Sequence, residues 1–337
     1  MTPLVSVLIP AFNAQTWIGD AIASALAQTW PRLEIIVVDD GSTDATLTAA
    51  RRFESARVMV MTQMNQGAAA ARNAALSSAQ GDYIQWLDAD DLLDRHKVAR
   101  QIAAARQSAG PTTLLSGAWG RFMYRPDRAE FSPTALWADL SPLDWLLLKL
   151  GRNLYMQTGS WLVSRELTDA AGPWNTGLLG DDDGEYFCRV LMASDGVRFV
   201  PQSRMLYRMA GSDTLSHVGG SNRKMDAHFH SVYLHIAYLR SLEDSPRTRA
   251  ACVTYLQNSL IHVFPERPDL VRQAEDMAAA LGGRLDTPRL PRKYSPIAGL
   301  FGVAAAKRLQ RLSQHTKWSL ARRWDHTLFG LEQLTRG

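Results

Sequence analysis

Four short apolar runs, each followed by a segment of helical periodicity, constrain this chain more than any other feature. The runs are Val5–Ile9, Glu34–Val38, Arg57–Met61 and Tyr83–Leu87; the helical segments are Trp17–Gln28, Asp44–Phe53, Ala68–Ser78 and Leu92–Gln107. Strands that read as near-continuous apolar runs are covered on both faces, and helices between them supply the crossovers that parallel neighbours need. Punctuation agrees, with Thr43/Asp44 and Gly67 at helix starts and Pro31 after the first helix. The expectation is an α/β chain built on a mostly parallel sheet flanked by helices.

After Pro111 the pattern loosens. Leu114–Tyr124, Ser160–Ser164 and Val197–Pro201 read as strands, Ser141–Leu150 as a Ser-capped helix, and Gly184–Ser194 as a helix opened by three aspartates. From Lys224 onward only helical periodicity remains, broken by Pro265, Pro268 and the Pro288/Pro291/Pro296 group. We therefore expect one large unit over 1–220 and a helical C-terminal extension over 221–337.

Composition narrows the class. With 46% hydrophobic and 21% charged residues, a disordered, collagenous or coiled-coil chain is excluded. Two cysteines make neither a disulfide framework nor a zinc cluster, and they suit a reducing compartment. The net charge of +4 is uneven. Residues 286–337 hold ten Lys/Arg against three acids, so this segment carries +7 and the other 285 residues carry −3. Concentrated basicity can signal nucleic acid or an anionic membrane surface. Here it is confined to a tail on a slightly acidic body, and the expectation is an anionic membrane surface as a candidate partner and no nucleic acid. No basic n-region precedes the first apolar run, and no stretch reaches the roughly 18 apolar residues of a spanning helix. The expected location is cytoplasmic, with peripheral attachment to a membrane face left open.

In open parallel sheets, ligands bind beyond the carboxyl ends of the strands. Here those ends are Pro10-Ala-Phe-Asn13, Asp39-Asp40-Gly41-Ser42, Asn65-Gln66-Gly67 followed by Arg72 and Asn73, and Asp88-Ala89-Asp90-Asp91. Every one delivers polar or acidic groups to a single edge. Three carboxylates within four residues repel one another unless a hard divalent cation or strong donors compensate. The bland alternative is a solvated turn in which Asp91 caps the helix from Leu92. Neither a G-x-G-x-x-G after the first strand nor a G-x-x-x-x-G-K-[ST] is present, which argues against dehydrogenases and P-loop nucleotidases.

Taken together, Val5-Ser-Val-Leu-Ile-Pro-Ala-Phe-Asn13, Ile35-Ile-Val-Val-Asp-Asp-Gly-Ser-Thr-Asp44, Asn65-Gln-Gly-Ala-Ala-Ala-Ala-Arg-Asn73 and Gly81-Asp-Tyr-Ile-Gln-Trp-Leu-Asp-Ala-Asp-Asp91 resemble family 2 glycosyltransferases of the GT-A fold. The resemblance is specific over about residues 4–110, looser to about 216, and absent beyond. It implies an inverting transferase with a nucleotide-sugar donor, a UDP-sugar foremost, and Mg²⁺ or Mn²⁺. It divides the body into a nucleotide-binding half, 1–110, and an acceptor half, 111–220. By position it places Pro10, Phe12 and Asn13 around the nucleoside, with Ser42, Asn65, Gly67 and Ala89 in the same motifs. Asp40 would accept from the base N–H, Asp39 would support the loop, and Arg72 would face the base. Asp88 would hold the ribose or a metal-bound water, and Asp90 the metal.

Inversion also needs a base for the acceptor hydroxyl. Gly180-Asp181-Asp182-Asp183-Gly-Glu185-Tyr-Phe-Cys-Arg189 resembles the family's acidic pair ahead of an Arg, which leaves the base on Asp183 or Asp182; the alternative is a multiply capped helix start. Arg208 either meets the diphosphate or pairs with the acidic loop. His217 reads as a loop residue or a metal ligand. Trp119, Trp145, Trp161 and Trp174 are core residues or stacking platforms for a sugar. The Gln-x-x-Arg-Trp pattern of processive synthases is absent, since Leu320 stands where Gln would precede Arg323-Trp324. A single-sugar transfer to a glycan or lipid-linked acceptor in surface polysaccharide synthesis is therefore expected; the rivals are a non-catalytic nucleotide- or glycan-binding module and a phosphatase-like hydrolase.

In the tail, Ala305, Leu309, Leu312, Leu320, Trp324, Leu328 and Leu331 form an apolar stripe at roughly helical spacing. Such a stripe either packs on the body or rests on an anionic membrane surface.

Overall fold

The computed structural model describes residues 2–108, 110–209, 221–288 and 291–336. His217 and the expected boundary at 220 lie outside them. Four strands, β1 (Val5–Ala11), β2 (Leu33–Asp39), β3 (Val58–Thr62) and β4 (Tyr83–Trp86), form the parallel part of a sheet ordered β3-β2-β1-β4. All seven residues of β1 are buried, as the continuous apolar run requires. Helices α1 (Ile18–Leu26), α2 (Thr46–Arg51) and α3 (Ala68–Ser78) make the crossovers. Strand order reverses between β1 and β4, so the switch point at which open sheets of this kind bind ligands lies between Phe12–Asn13 and Asp88–Asp91.

The segment expected as one helix over Leu92–Gln107 divides. Leu92–Leu93 form β5, paired antiparallel with Leu206 and Met205, and α4 begins only at Lys97. Buried Asp91 accepts the Arg208 N–H at 2.8 Å instead of capping a helix, which pulls the chain into a second sheet. That sheet is ordered β5-β9-β6-β7, with β6 Thr113–Phe122, β7 Glu130–Phe131 and β9 Gly196–Arg208. Strand β9 runs well past the expected Pro201, through a register shift opposite Gly117/Ala118. The Ser160–Ser164 strand contracts to β8 (Val163–Ser164), an antiparallel edge on β4.

Helices α5 (Pro142–Arg152), α6 (Arg165–Ala171) and α7 (Asp182–Ala193) follow, then α8 (Asn222–Leu242), α9 (Pro246–Val263) and α10 (Pro268–Ala280). Ser141 caps α5 by accepting the Asp144 N–H, as the sequence suggests. Helices α8 and α9 pack on α7 and α5, so part of the extension shares the body's core. The last helix, α11 (Ser295–Arg336), is interrupted at Gly302, whose φ of 82° is not helical. Its charged side meets the body: Arg125 pairs with Asp325 at 2.7 Å and Glu332 at 3.0 Å, and Lys307 pairs with Glu266 at 2.7 Å. Leu309, Leu312, Leu320, Trp324, Leu331 and Leu334 lie on the other side and are exposed. The helix docks through these charged groups together with Phe329, which meets Tyr124, and turns most of its apolar stripe outward.

Candidate active site

Each strand end meets the next through side chains that prefer turns. Asn13, in the left-handed region at φ 48°, donates its N–H to Ser42 Oγ and accepts the Thr43 N–H at its own Oδ1. Gly41 has φ 69°, and a Cβ there would sit 2.8 Å from the Asn65 nitrogen, so only glycine lets the second and third loops touch. Buried Asp40 takes three donors across that contact, from Gln63 Nε2, the Gln66 N–H and the Gly67 N–H at 2.7–2.9 Å. Loop support, expected of Asp39, is thus shared by both. Asp39 Oδ2 accepts from Ser42 and Thr62, while its Oδ1 is buried without a partner. Phe12 is half exposed, and Asn65 is exposed.

The centre of the site is Arg72. It projects from α3, is buried, lies 4.3 Å above the Trp174 ring, and joins two loops 94 residues apart. Nη2 donates to Asp88 at 2.8 Å and Nη1 to Asp182 at 2.7 Å. Burial works against its charge, but Asp182, Asp88 and Asp183 outweigh it and hold the guanidinium protonated. The acidic strand end and the acidic helix start, separate motifs in the sequence, therefore share one cation.

Around it the carboxylates differ. Burial, then Asp88, pushes Asp90 up to about 6, and burial with Asp90 and Asp88 raises Asp91 well above the usual range. Asp183 is also pushed up to about 6, by burial and then by Asp182 and Asp181. Thr158 Oγ1 donates to its Oδ2 at 3.2 Å. Burial raises Asp182 as well, partly offset by Arg72. Among the described residues no three His, Cys, Asp or Glu side chains converge as a ligand set. Asp88 and Asp90 still suit a hard cation, because oxygen ligands of one or two carboxylates completed by phosphate and water are what Mg²⁺ and Mn²⁺ take, and crowded carboxylates gain from it.

Arg208 is a buried clamp on the acidic loop. Its Nε donates to the Asp90 carbonyl at 2.7 Å, Nη2 to Asp20 at 3.0 Å, and its plane stacks on Trp17 and Phe122. Among the described residues its ion pair is with Asp20 and not with the acidic loop, which it meets through the Asp90 carbonyl and the Asp91 carboxylate. Of the two readings open for the tryptophans, Trp119, Trp145, Trp161 and Trp174 take the core one: all are buried, with Trp174 stacked on Tyr186 at 4.2 Å. Aromatic area of that size is worth more in the core than at an edge. Thr158, Asp20 and Gln63 were not legible as site residues, since each acts over a long sequence separation without a local pattern.

Residues 6–132 match the family model described as Glycosyl transferase family 2. A relative provisionally named as the teichuronic acid biosynthesis glycosyltransferase TuaG, from Bacillus subtilis, is 44% identical over 103 residues, 30% of this chain and 41% of its own. The chain thus spans less than half of that relative. TarS 1–349 of S. aureus, solved in complex with UDP-GlcNAc, superposes with a TM-score of 0.59 at 15% identity, over 82% of this chain and 89% of that one. The mannosyltransferase PcManGT of Pyrobaculum calidifontis, in complex with GDP-Man and Mn²⁺, gives 0.52 at 21% identity, over 99% and 88%. Both share the fold.

Proposed function

We propose that this chain, whose residues 6–132 match the model of glycosyl transferase family 2, moves one sugar from a nucleotide-sugar donor, a UDP-sugar foremost, onto a glycan or lipid-linked acceptor with inversion. The observation that carries this is Arg72, which binds the donor-side Asp88 and the acceptor-side Asp182 at once. Residues 1–220 form the catalytic body and 221–337 its extension. Phe12, Pro10 and Asn13 frame the base and sugar of the nucleoside, with Ser42, Asn65, Gly67 and Ala89 lining its surroundings. Asp40 has about one acceptor position of four left for the base N–H, and Asp39 Oδ1 lies bare beside it.

Asp88 and Asp90 would hold Mg²⁺ or Mn²⁺, which supplies charge stabilisation to the departing diphosphate. Arg72, expected to face the nucleotide base, has both terminal nitrogens on Asp88 and Asp182 and offsets part of their charge. Asp183 takes the proton of the acceptor hydroxyl. What supports it over Asp182 is that Asp182 is tied to Arg72, whereas Asp183 meets one hydroxyl and has a pKa near 6, suited to a base at neutral pH. Transfer is single because the processive signature is absent. The outward stripe of α11, in a segment of +7 whose Asp325 and Glu332 face Arg125 of the body, fits an anionic membrane surface on which a lipid-linked acceptor is presented.

The test is release of nucleoside diphosphate from UDP-, GDP- and dTDP-sugars with Mn²⁺ and lipid-linked glycans. Turnover with one donor, lost on chelation and in Asp90→Asn, supports the reading. Binding without turnover by any donor overturns it in favour of a binding module.

A further inference from the structure

The turn bearing Asp182 and Asp183 is anchored by the helical extension. Asp181 is the residue before α7 and has φ 55°, the left-handed region that disfavours side chains other than Gly and Asn/Asp. Its carboxylate makes no capping bond to the helix. It turns toward α8 instead, where Ser231 Oγ donates to Oδ2 at 2.6 Å. Next to Ser231, fully buried His235 sets Nδ1 3.8 Å from that oxygen and 2.8 Å from Tyr255 Oη on α9. Burial pushes His235 down to about 4, so at neutral pH the ring packs uncharged and its contact with Asp181 is no ion pair. Gly184 completes the fit, since a Cβ there would meet Asp181 Oδ1 at 2.1 Å and His235 Cε1 at 3.2 Å. From the opposite side, Arg72 fixes Asp182 and Thr158 meets Asp183.

We propose that Ser231, backed by His235 and Tyr255, is a positioning residue for sugar transfer: it holds Asp181 in its left-handed conformation and so sets the direction of Asp182 and Asp183. The extension is then part of the active site, although among the described residues the hydrogen bond to the proposed base comes from Thr158 of the body. The proposal rests on the transferase reading above. A residue acting through another affects the reacting geometry and leaves donor binding intact, and misplacement of about 1 Å costs up to about 100-fold in rate.

The experiment uses the full chain with the donor that turns over. Ser231→Ala and Asp181→Ala are expected to lower kcat about 10-fold or more with the donor KM within about twofold. Asp181→Asn, which keeps the acceptor and tolerates the left-handed backbone, is expected to restore most of kcat. Hydrogen exchange should quicken at residues 180–185 in both alanine variants and stay at the wild-type rate in Asp181→Asn. Wild-type kcat in Ser231→Ala, or unchanged exchange at 180–185, overturns the proposal. Should Ser231→Ala fail to fold, Tyr255→Phe, which removes only the hydroxyl behind His235, takes its place with the same outcomes. If the wild-type chain turns over no donor, the transferase reading fails, and the exchange measurement still decides whether α8 sets the turn.

Discussion

A carboxylate held near pKa 6 by burial and by two neighbouring carboxylates is poised to accept a proton at neutral pH, and Asp183 is such a group. Replacing it by Asn is expected to lower the rate by roughly 10²–10⁴ with little change in donor affinity, and an initial-rate assay checks this. The same group gives the reaction an acidic limb. Protonation below about 6 would remove the proposed base, so kcat/KM should fall as pH drops from 7 to 5, with its half-point near 6. Asp90 makes a converse prediction about stability. Its pKa is raised on folding to about 6, so the folded chain binds the extra proton between the ordinary carboxylate value and 6, and stability declines as pH rises through that window. Without divalent cation, Asp90→Asn should therefore melt a few degrees higher than wild type at pH 7.5 and equal to it near pH 4. Added Mn²⁺ should narrow the gap by stabilising only the wild type.

At the scale of elements, the loops are rigid because each is braced by another. Arg208 at the end of β9 holds the Asp88–Asp91 loop by its carbonyl and by the Asp91 carboxylate, and Gly41 lets the second loop touch the third. Arg208→Met leaves the Asp90 carbonyl and Asp20 without their donor; a loss of about 2 kcal/mol is expected by chemical denaturation. The strands and the first three helices were legible because apolar periodicity is a local signal. The split of Leu92–Gln107 was not, because nothing near Leu92 in the sequence announces Arg208, 116 positions away from it. The tryptophans stayed open between core and sugar platform for a related reason: residue type shows that a ring gains from burial, but only packing shows against what.

On the scale of the whole molecule, the tail is where sequence left two outcomes open. A helix that docks through Asp325, Glu332 and Lys307 and exposes Leu312, Trp324 and Leu334 is inverted relative to a surface helix covering a core. The full chain should float with liposomes containing anionic lipid, release as salt rises, and stay soluble when residues 303–337 are removed or Trp324 and Leu312 are both changed to Ser; equal flotation with neutral vesicles would remove the electrostatic part of the argument. The sequence by itself determined the parallel sheet, the four loop motifs at its edge and the basic tail, since each depends on residue type at short spacing. Only the tertiary structure decided that Arg72 joins Asp88 to Asp182, that Asp181 hangs from α8, and which face of α11 meets water. Those contacts are made between residues dozens to hundreds of positions apart, and no local pattern encodes the direction in which a side chain meets a partner that folding brings to it.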